Sequence, residues 1–446
     1  MLQKIVRQIL LVLWLFLSYN GVEGRKKLSE LEDMELEKQL KLLNKPAIKT
    51  VKTKSGESYD CVDFYKQHAF DHPLLKNHNF HPQMKPTFAE IKRSSYSSTT
   101  NRLSTIWSKD GGCPSGTVPI KRITKDDLIR QRNMPPPEPA NFDDEFVIIR
   151  YFMNNLILLL EDFINKYIIN FKYYGKNSYI ALHPMQSNNN IEQKGSYYQF
   201  NGYKRAIARP QYDPKLTKFS GAGMATSLYN PHVEGQQHSA CRLKIQNGSD
   251  ILQVGWRVDP TLYGDNNTRL YIHYQTGETH CFNTLCPGFV SVHTDIPLDL
   301  TFGDNLSQRG GSPKEINLYI YRDMGVGNWW LLYGADYTQV GFWPHDILNE
   351  LKGYATNVDW GGVIYNPPGL PEPPMGSSFY PTGNSSFDAY CRNIAVSNED
   401  GDSVGIYSIV WLTENKFAYK IQFDTISEGS NTFTYVFYGG PGISNP

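Results

Sequence analysis

From about residue 200 to the C terminus the chain alternates apolar and polar residues, and this period constrains its fold more than any other feature. Leu252, Val254, Trp256 and Val258 alternate with Gln253, Gly255 and Arg257. Leu270, Ile272 and Tyr274 alternate with Tyr271 and His273, and Ile316, Leu318 and Ile320 repeat the pattern. Successive side chains of a strand point to opposite faces, so a period of two marks strands with one buried face. Turn residues punctuate the pattern, further strands are predicted at 404–412, 416–424 and 432–438, and long helical periodicity is nearly absent. An all-β, antiparallel β-sandwich satisfies that pattern over residues 200–446. The glycine pairs at 310–311, 361–362 and 439–440 read as turns, bulges or tight strand crossings.

The N-terminal half reads differently. Lys4 and Arg7 precede the apolar run Ile9 to Leu17, and Val22 and Gly24 stand at positions −3 and −1 of a cut before Arg25. That is the layout of a secretory signal peptide over 1–24, too short in its apolar part to span a bilayer. Leu28 to Leu43 reads as a helix, with Ser29 and Glu32 as a capping box, leucines near one face and Pro46 as the stop. Residues 25–140 then form a small mixed α/β region. It closes on Met134-Pro135-Pro136-Pro137-Glu138-Pro139, which reads as a stiff, exposed linker open to a processing protease. Residues 141–199 read as a linker or insertion. Its Ile-, Asn- and Tyr-rich core at 146–182 is either a buried helix or translated non-coding sequence, and Glu161, Asp162 and Lys166 break it as a membrane span.

Composition narrows the function classes. Forty-four basic and 44 acidic residues cancel among 446, which removes any electrostatic case for nucleic acid or a membrane surface as partner. Twenty-nine Tyr, 22 Phe and 8 Trp exclude a disordered chain. Six cysteines suit an oxidising compartment. Cys281 and Cys286 bracket four residues and can close a small loop; Cys61 with Cys113, and Cys241 with Cys391, would keep each further bridge within one domain. Sequons at Asn247, Asn266, Asn305 and Asn384 fit a secreted glycoprotein. No motif calls for a metal or a cofactor, and no nucleophile elbow, His-Glu-x-x-His or phosphate loop is present.

One set of motifs remains. It comprises the block Gln253-Val254-Gly255-Trp256-Arg257-Val258-Asp259-Pro260, the loop Cys281 to Val290, Gly327-Asn328-Trp329-Trp330, Gly341-Phe342-Trp343-Pro344, Trp360-Gly361-Gly362, Met375-Gly376-Ser377 and Tyr438-Gly439-Gly440-Pro441-Gly442. In that order they resemble the plant neprosin family. Leu40 to Pro46, Asp60-Cys61-Val62-Asp63, Ala69-Phe70-Asp71-His72-Pro73 and Cys113 to Pro119 resemble the family's activation region. The resemblance covers roughly 28–140 and 200–446. It implies a secreted plant protein, extracellular (apoplast or cell wall) or vacuolar, with an activation region before a β-sandwich. Its characterised peptidases are glutamic endopeptidases that cut after proline at acid pH. Two carboxyl groups do that chemistry, one ionised to take a proton from water and one protonated to polarise the carbonyl.

At the positions matching those two glutamates this chain has Gln253 and Val363, and no Glu lies within 251–271 or 355–371. An amide still polarises a carbonyl, but an isopropyl group neither accepts a proton nor holds a water. Losing a general base costs about 10²–10⁴ in rate. Asp359 is the nearest fallback carboxylate on the face of Val363, about 13 Å along the strand. Trp256, Tyr263, Trp329, Trp330, Trp343 and Trp360 are the expected substrate groove, an aromatic surface for proline-rich peptide. The expectation is therefore a catalytically impaired family member that binds proline-rich peptide. The alternatives are an active acid-pH endopeptidase with displaced carboxylates and a structural extracellular glycoprotein.

Overall fold

The structure, a computed structural model, describes residues 30–53, 56–87, 112–139, 202–211, 213–406, 408–428 and 431–443. The expected signal peptide at 1–24 and the whole of 141–199, with its 146–182 core, lie outside the described residues. Among the described residues no helix is long and apolar enough to cross a membrane.

The N-terminal region starts with α1 (Glu30–Leu43), whose first turn is acidic and whose last carries Lys41, charges that suit the helix dipole. Asn44 then exchanges two hydrogen bonds with the main chain of Ile123, at 2.7 and 2.9 Å. Strands β1 (Ala47–Lys52), β2 (Ser58–Asp63) and β3 (Thr117–Lys121) form an antiparallel sheet, tied by a Cys61–Cys113 disulfide. Helix α2 (Lys125–Gln131) follows, begun by a Thr124–Asp127 capping box.

The remaining strands are all antiparallel. They begin with β4 (Tyr203–Pro210), β5 (Gly221–Ser227), β6 (His238–Asn247) and β7 (Asp250–Val258), the one-turn helix α3 (Pro260–Tyr263), β8 (Arg269–Thr276) and β9 (Thr279–Phe282). Next come β10 (Val290–Ser291), β11 (Glu315–Arg322), β12 (Trp329–Tyr333), β13 (Thr338–Trp343), β14 (Asn357–Tyr365) and β15 (Met375–Gly376). The chain closes with β16 (Ala389–Ser397), β17 (Ser403–Gly405), β18 (Ile409–Thr413), β19 (Lys420–Glu428) and β20 (Asn431–Gly440). One sheet runs β18-β4-β14-β6-β7-β8-β9. The other runs β10-β13-β12-β11-β5-β16-β20-β15, with β17 beside β16 and β19 beside β20.

The main apolar core lies between these two sheets. Leu252, Val254, Trp256 and Val258 of β7 enter it, as their alternation requires. Two indoles lock the layers: Trp256 Nε1 donates to Ser227 O at 2.8 Å, and Trp360 Nε1 to Gly223 O at 3.1 Å. The Trp-Gly-Gly block is held just as closely, because a Cβ on Gly361 (φ +136°) would lie 2.3 Å from Ala206 O. The N-terminal region docks on this body. Val62, Phe64 and Val118 pack with Trp330, Leu332 and Phe342 in a second cluster. Polar contacts fix the rest of that interface: Gln67 exchanges hydrogen bonds with the Ser291 main chain, and Glu57 pairs with Arg269 at 2.6 Å.

Candidate functional site

The outer face of the seven-stranded sheet carries the residues that alternate against the core. Register places Asp359, Lys244, Gln253 and His273 in one row across β14, β6, β7 and β8. Gly361, Arg242, Gly255 and Tyr271 form the next, and Arg205, Val363, Ala240 and Arg257 the third. Gln253 and Val363 therefore share a face but stand on strands separated by β6 and two rows apart.

That face is covered by the segment Met134 to Pro139. It forms a strap across the sheet, with Pro135 and Glu138 buried, so it is not the exposed linker expected from its proline content. Met134 packs on the cluster containing Tyr203, Tyr263, Tyr271 and Val363. Gln236 Nε2 donates to Asn133 O at 2.9 Å and the Tyr203 hydroxyl to Pro136 O at 2.8 Å. Glu138 then turns into the sheet. Its Oε1 accepts from Arg242 Nη2 at 2.7 Å and from Arg205 Nη1 at 3.5 Å, and its Oε2 accepts from Gln253 Nε2 at 3.4 Å. Gln253 Oε1 accepts from the Tyr271 hydroxyl at 3.3 Å, so both ends of that amide are engaged.

The electrostatics are those of a cationic floor. Asp359 is fully buried and bound by Arg242, with Lys244 and Arg209 at 3.4 and 3.3 Å. Arg205 also pairs with Glu414 at 2.5 Å. Burial alone would raise the Glu138 carboxyl, but Arg242, Lys244 and Arg205 outweigh it and hold it far below the ordinary range. The Tyr203 and Tyr271 phenols are pushed up, chiefly by burial, and stay protonated donors. His273, beside Gln253, is pushed down to about 3, first by burial and then by His280 and Arg257. Its ring is neutral at neutral pH, and neither nitrogen finds a hydrogen-bond partner among the described residues.

Several sequence-based expectations need correction. Trp256, Trp329, Trp343 and Trp360 lie fully buried in the core between the sheets, and Trp330 is buried under the N-terminal region. None lines the cleft, because on β7 and β14 the indoles occupy the register opposite to Gln253 and Val363. Tyr263 does stand beside the cleft, in the cluster of Val363. Asp359 is no spare catalyst: its oxygens are taken up by three cations. Cys281 and Cys286 are bonded, but Cys241 and Cys391 are separate buried thiols 3.3 Å apart, where Thr226 Oγ1 donates to the Cys241 sulfur. Of the sequons, Asn266 and Asn384 are exposed and Asn305 is half-buried, whereas the half-buried Asn247 donates its amide to Glu350 O and Tyr354 O.

Sequence reading missed Glu138, Arg205, Arg242, Tyr203 and His273. A signal existed for the first: a glutamate flanked by prolines, in a chain resembling proline-directed enzymes. The cations gave none, because Arg and Lys on an alternating strand normally face solvent.

Two sheets in antiparallel array, with an N-terminal region docked on them and a strap over the outer face of one, define a β-sandwich held in a covered form. The family model for neprosin matches residues 235–441 and that for the neprosin activation peptide matches 50–138. Together these span the greater part of the chain, which belongs to the neprosin family. Among solved structures it is similar to scytalido-glutamic peptidase bound to a peptide-based transition-state analogue (13% identity, TM-score 0.28, 53% of this chain and 98% of that one). It is also similar to SCP-B, an eqolisin-family peptidase in complex with the tripeptide Ala-Ile-His (12% identity, TM-score 0.26, the same coverage).

The covered form has a defined response to acid. Glu138 has a depressed pKa, so its contribution is present above the free value near 4.5 and is lost only as pH falls through the far lower bound value. Asp299, which accepts from the Tyr59 hydroxyl at 3.0 Å, behaves oppositely. Burial, against Lys121 and Arg269, raises it to about 6. Its cost is absent below about 3.8, grows between the two values and is complete above about 6. Acidification to pH 4 thus strengthens the docking of the N-terminal region at this contact. Asp299→Asn is expected to flatten the difference in unfolding free energy between pH 4 and pH 7 by up to about 3 kcal/mol. Denaturant titrations of both proteins at the two pH values read it directly, and parallel pH dependences would refute it.

Proposed function

We propose that this neprosin-family chain is a secreted peptide-binding protein that lacks ordinary glutamic-peptidase turnover and takes proline-containing peptide in the cleft its own strap fills. One observation carries the reading. At the two positions matching the family's glutamates, Gln253 is hydrogen-bonded to a proline-flanked glutamate, and Val363 sits among tyrosines with Met134 packed on the same cluster. The strap thus supplies a template for a bound peptide. The Gln253–Glu138 contact pairs an amide with a carboxylate, but that carboxylate stays ionised on Arg242 and belongs to the occupying segment. It is a poor base, since a useful one has a pKa near the working pH.

The test uses the full chain and a Glu138→Ala form at pH 3–5 with a proline-containing peptide. The expected result is binding by the Glu138→Ala form, with no cleavage above a rate about 10²–10⁴ below that of an intact dyad. Turnover at an ordinary peptidase rate would restore the active-enzyme reading, and neither binding nor cleavage would leave a structural glycoprotein.

A further inference from the structure

The floor under the strap is charged in a way that proline recognition does not require. Arg205, Arg209, Arg242 and Lys244 are countered there by Asp359, Glu414 and Glu138. When the strap leaves, Glu138 goes with it, and Arg242 and Arg205 lose that carboxylate. Arg242, fully buried and already engaged with Asp359, keeps one arm aimed where Glu138 was. Arg205 and the Gln253 amide point to the same place. Three donors from three strands converge on one carboxylate position, with Tyr203 fixing a main-chain carbonyl two residues earlier.

We propose that the open cleft selects an acidic residue flanked by prolines, whose carboxylate replaces that of Glu138 on Arg242, Arg205 and Gln253. The inference rests on the peptide-binding reading and specifies its ligand class. His273 supports it from a separate direction. Buried at the cleft floor with both nitrogens unpartnered among the described residues, it marks polar capacity that the strap leaves unused. A ligand that also reached this imidazole would gain a hydrogen bond the strap lacks, and would displace the strap more easily.

The experiment titrates the Glu138→Ala full chain with an acetylated, amidated Pro-Pro-Pro-Glu-Pro peptide, its Gln isostere and a proline-free Gly-Gly-Gly-Glu-Gly control. The Glu peptide is expected to bind roughly 10- to 100-fold tighter than the Gln peptide, as a hydrogen bond to a charged partner predicts. The advantage is expected to shrink towards unity when Arg242→Met is added. Arg205→Gln, at a position still 2 % exposed and paired with Glu414, gives a second reading if the Arg242 variant does not fold. Equal binding of the Glu and Gln peptides overturns the acidic selection and leaves the peptide-binding reading intact. A Glu preference unchanged in the arginine variants overturns the assigned position. Failure of every proline peptide to bind better than the control overturns both readings.

Discussion

Glu138→Ala is expected to release the strap. The side chain is buried, carries a full charge and is held by Arg242, Arg205 and Gln253. Truncating one member of a buried, hydrogen-bonded charge pair costs about 2–5 kcal/mol, because the remaining cation loses its counter-charge. The population with an open strap should then rise by roughly 30-fold to more than 1,000-fold. A protease of broad specificity, used at low concentration so that strap closing outpaces cutting, reports that population as the cleavage rate at 134–139. The rest of the fold is expected to stay intact, since Glu138 touches only the cleft face. Equal cleavage rates for the two proteins would mean that the Tyr203 and Gln236 contacts hold the strap without the carboxylate.

Arg242→Met is expected to be the most destabilising single change in the cleft. Arg242 is fully buried on the central strand β6 and binds both Asp359 and Glu138. Methionine fills much of the volume but leaves two buried carboxylates short of a partner. Breaking a buried pair in this way costs about 3–5 kcal/mol. In a sandwich of this size that corresponds to a fall in Tm of roughly 10 °C. Arg242→Lys should fall between, since an ammonium keeps the charge but cannot reach both carboxylates with a planar fork. A Tm within a degree or two of the parent for Arg242→Met would show that Lys244, Arg209 and Arg205 suffice.

The two predictions separate the holding of the strap from what the cleft residues do for the fold. Asp359 belongs to the second role. It sits in the row of Gln253, yet its oxygens are bound by Arg242, Lys244 and Arg209 inside the sheet. Replacing it would report on stability and not on catalysis.

Much of the fold was legible in the chain. The alternation Leu252, Val254, Trp256, Val258 required one buried face, and that face forms the core. The same alternation already contradicted a groove role for Trp256: if Gln253 faces the cleft, a residue three positions on faces the opposite layer. The aromatic character of the motif blocks had suggested a binding surface, but large apolar side chains gain more from a core between two sheets than from a wet groove. The strand expected at 416–424 runs from Lys420 to Glu428, because Asn415 to Ala418 turn before it, with Asn415 capping the turn.

The alternating pattern, the paired cysteines at 281 and 286 and the presence of Gln253 and Val363 in their motif blocks are local properties, readable from order alone. That Pro135 to Pro139 lies on the face of β4, β6 and β7 is not local. It depends on chain segments roughly 100 positions apart meeting across a sheet. So does the charge of Glu138: a glutamate between prolines carries no sign of its partners until folding sets Arg205 and Arg242 beside it. Desolvation and cationic neighbours act through space, and only the folded chain supplies the distances over which they act.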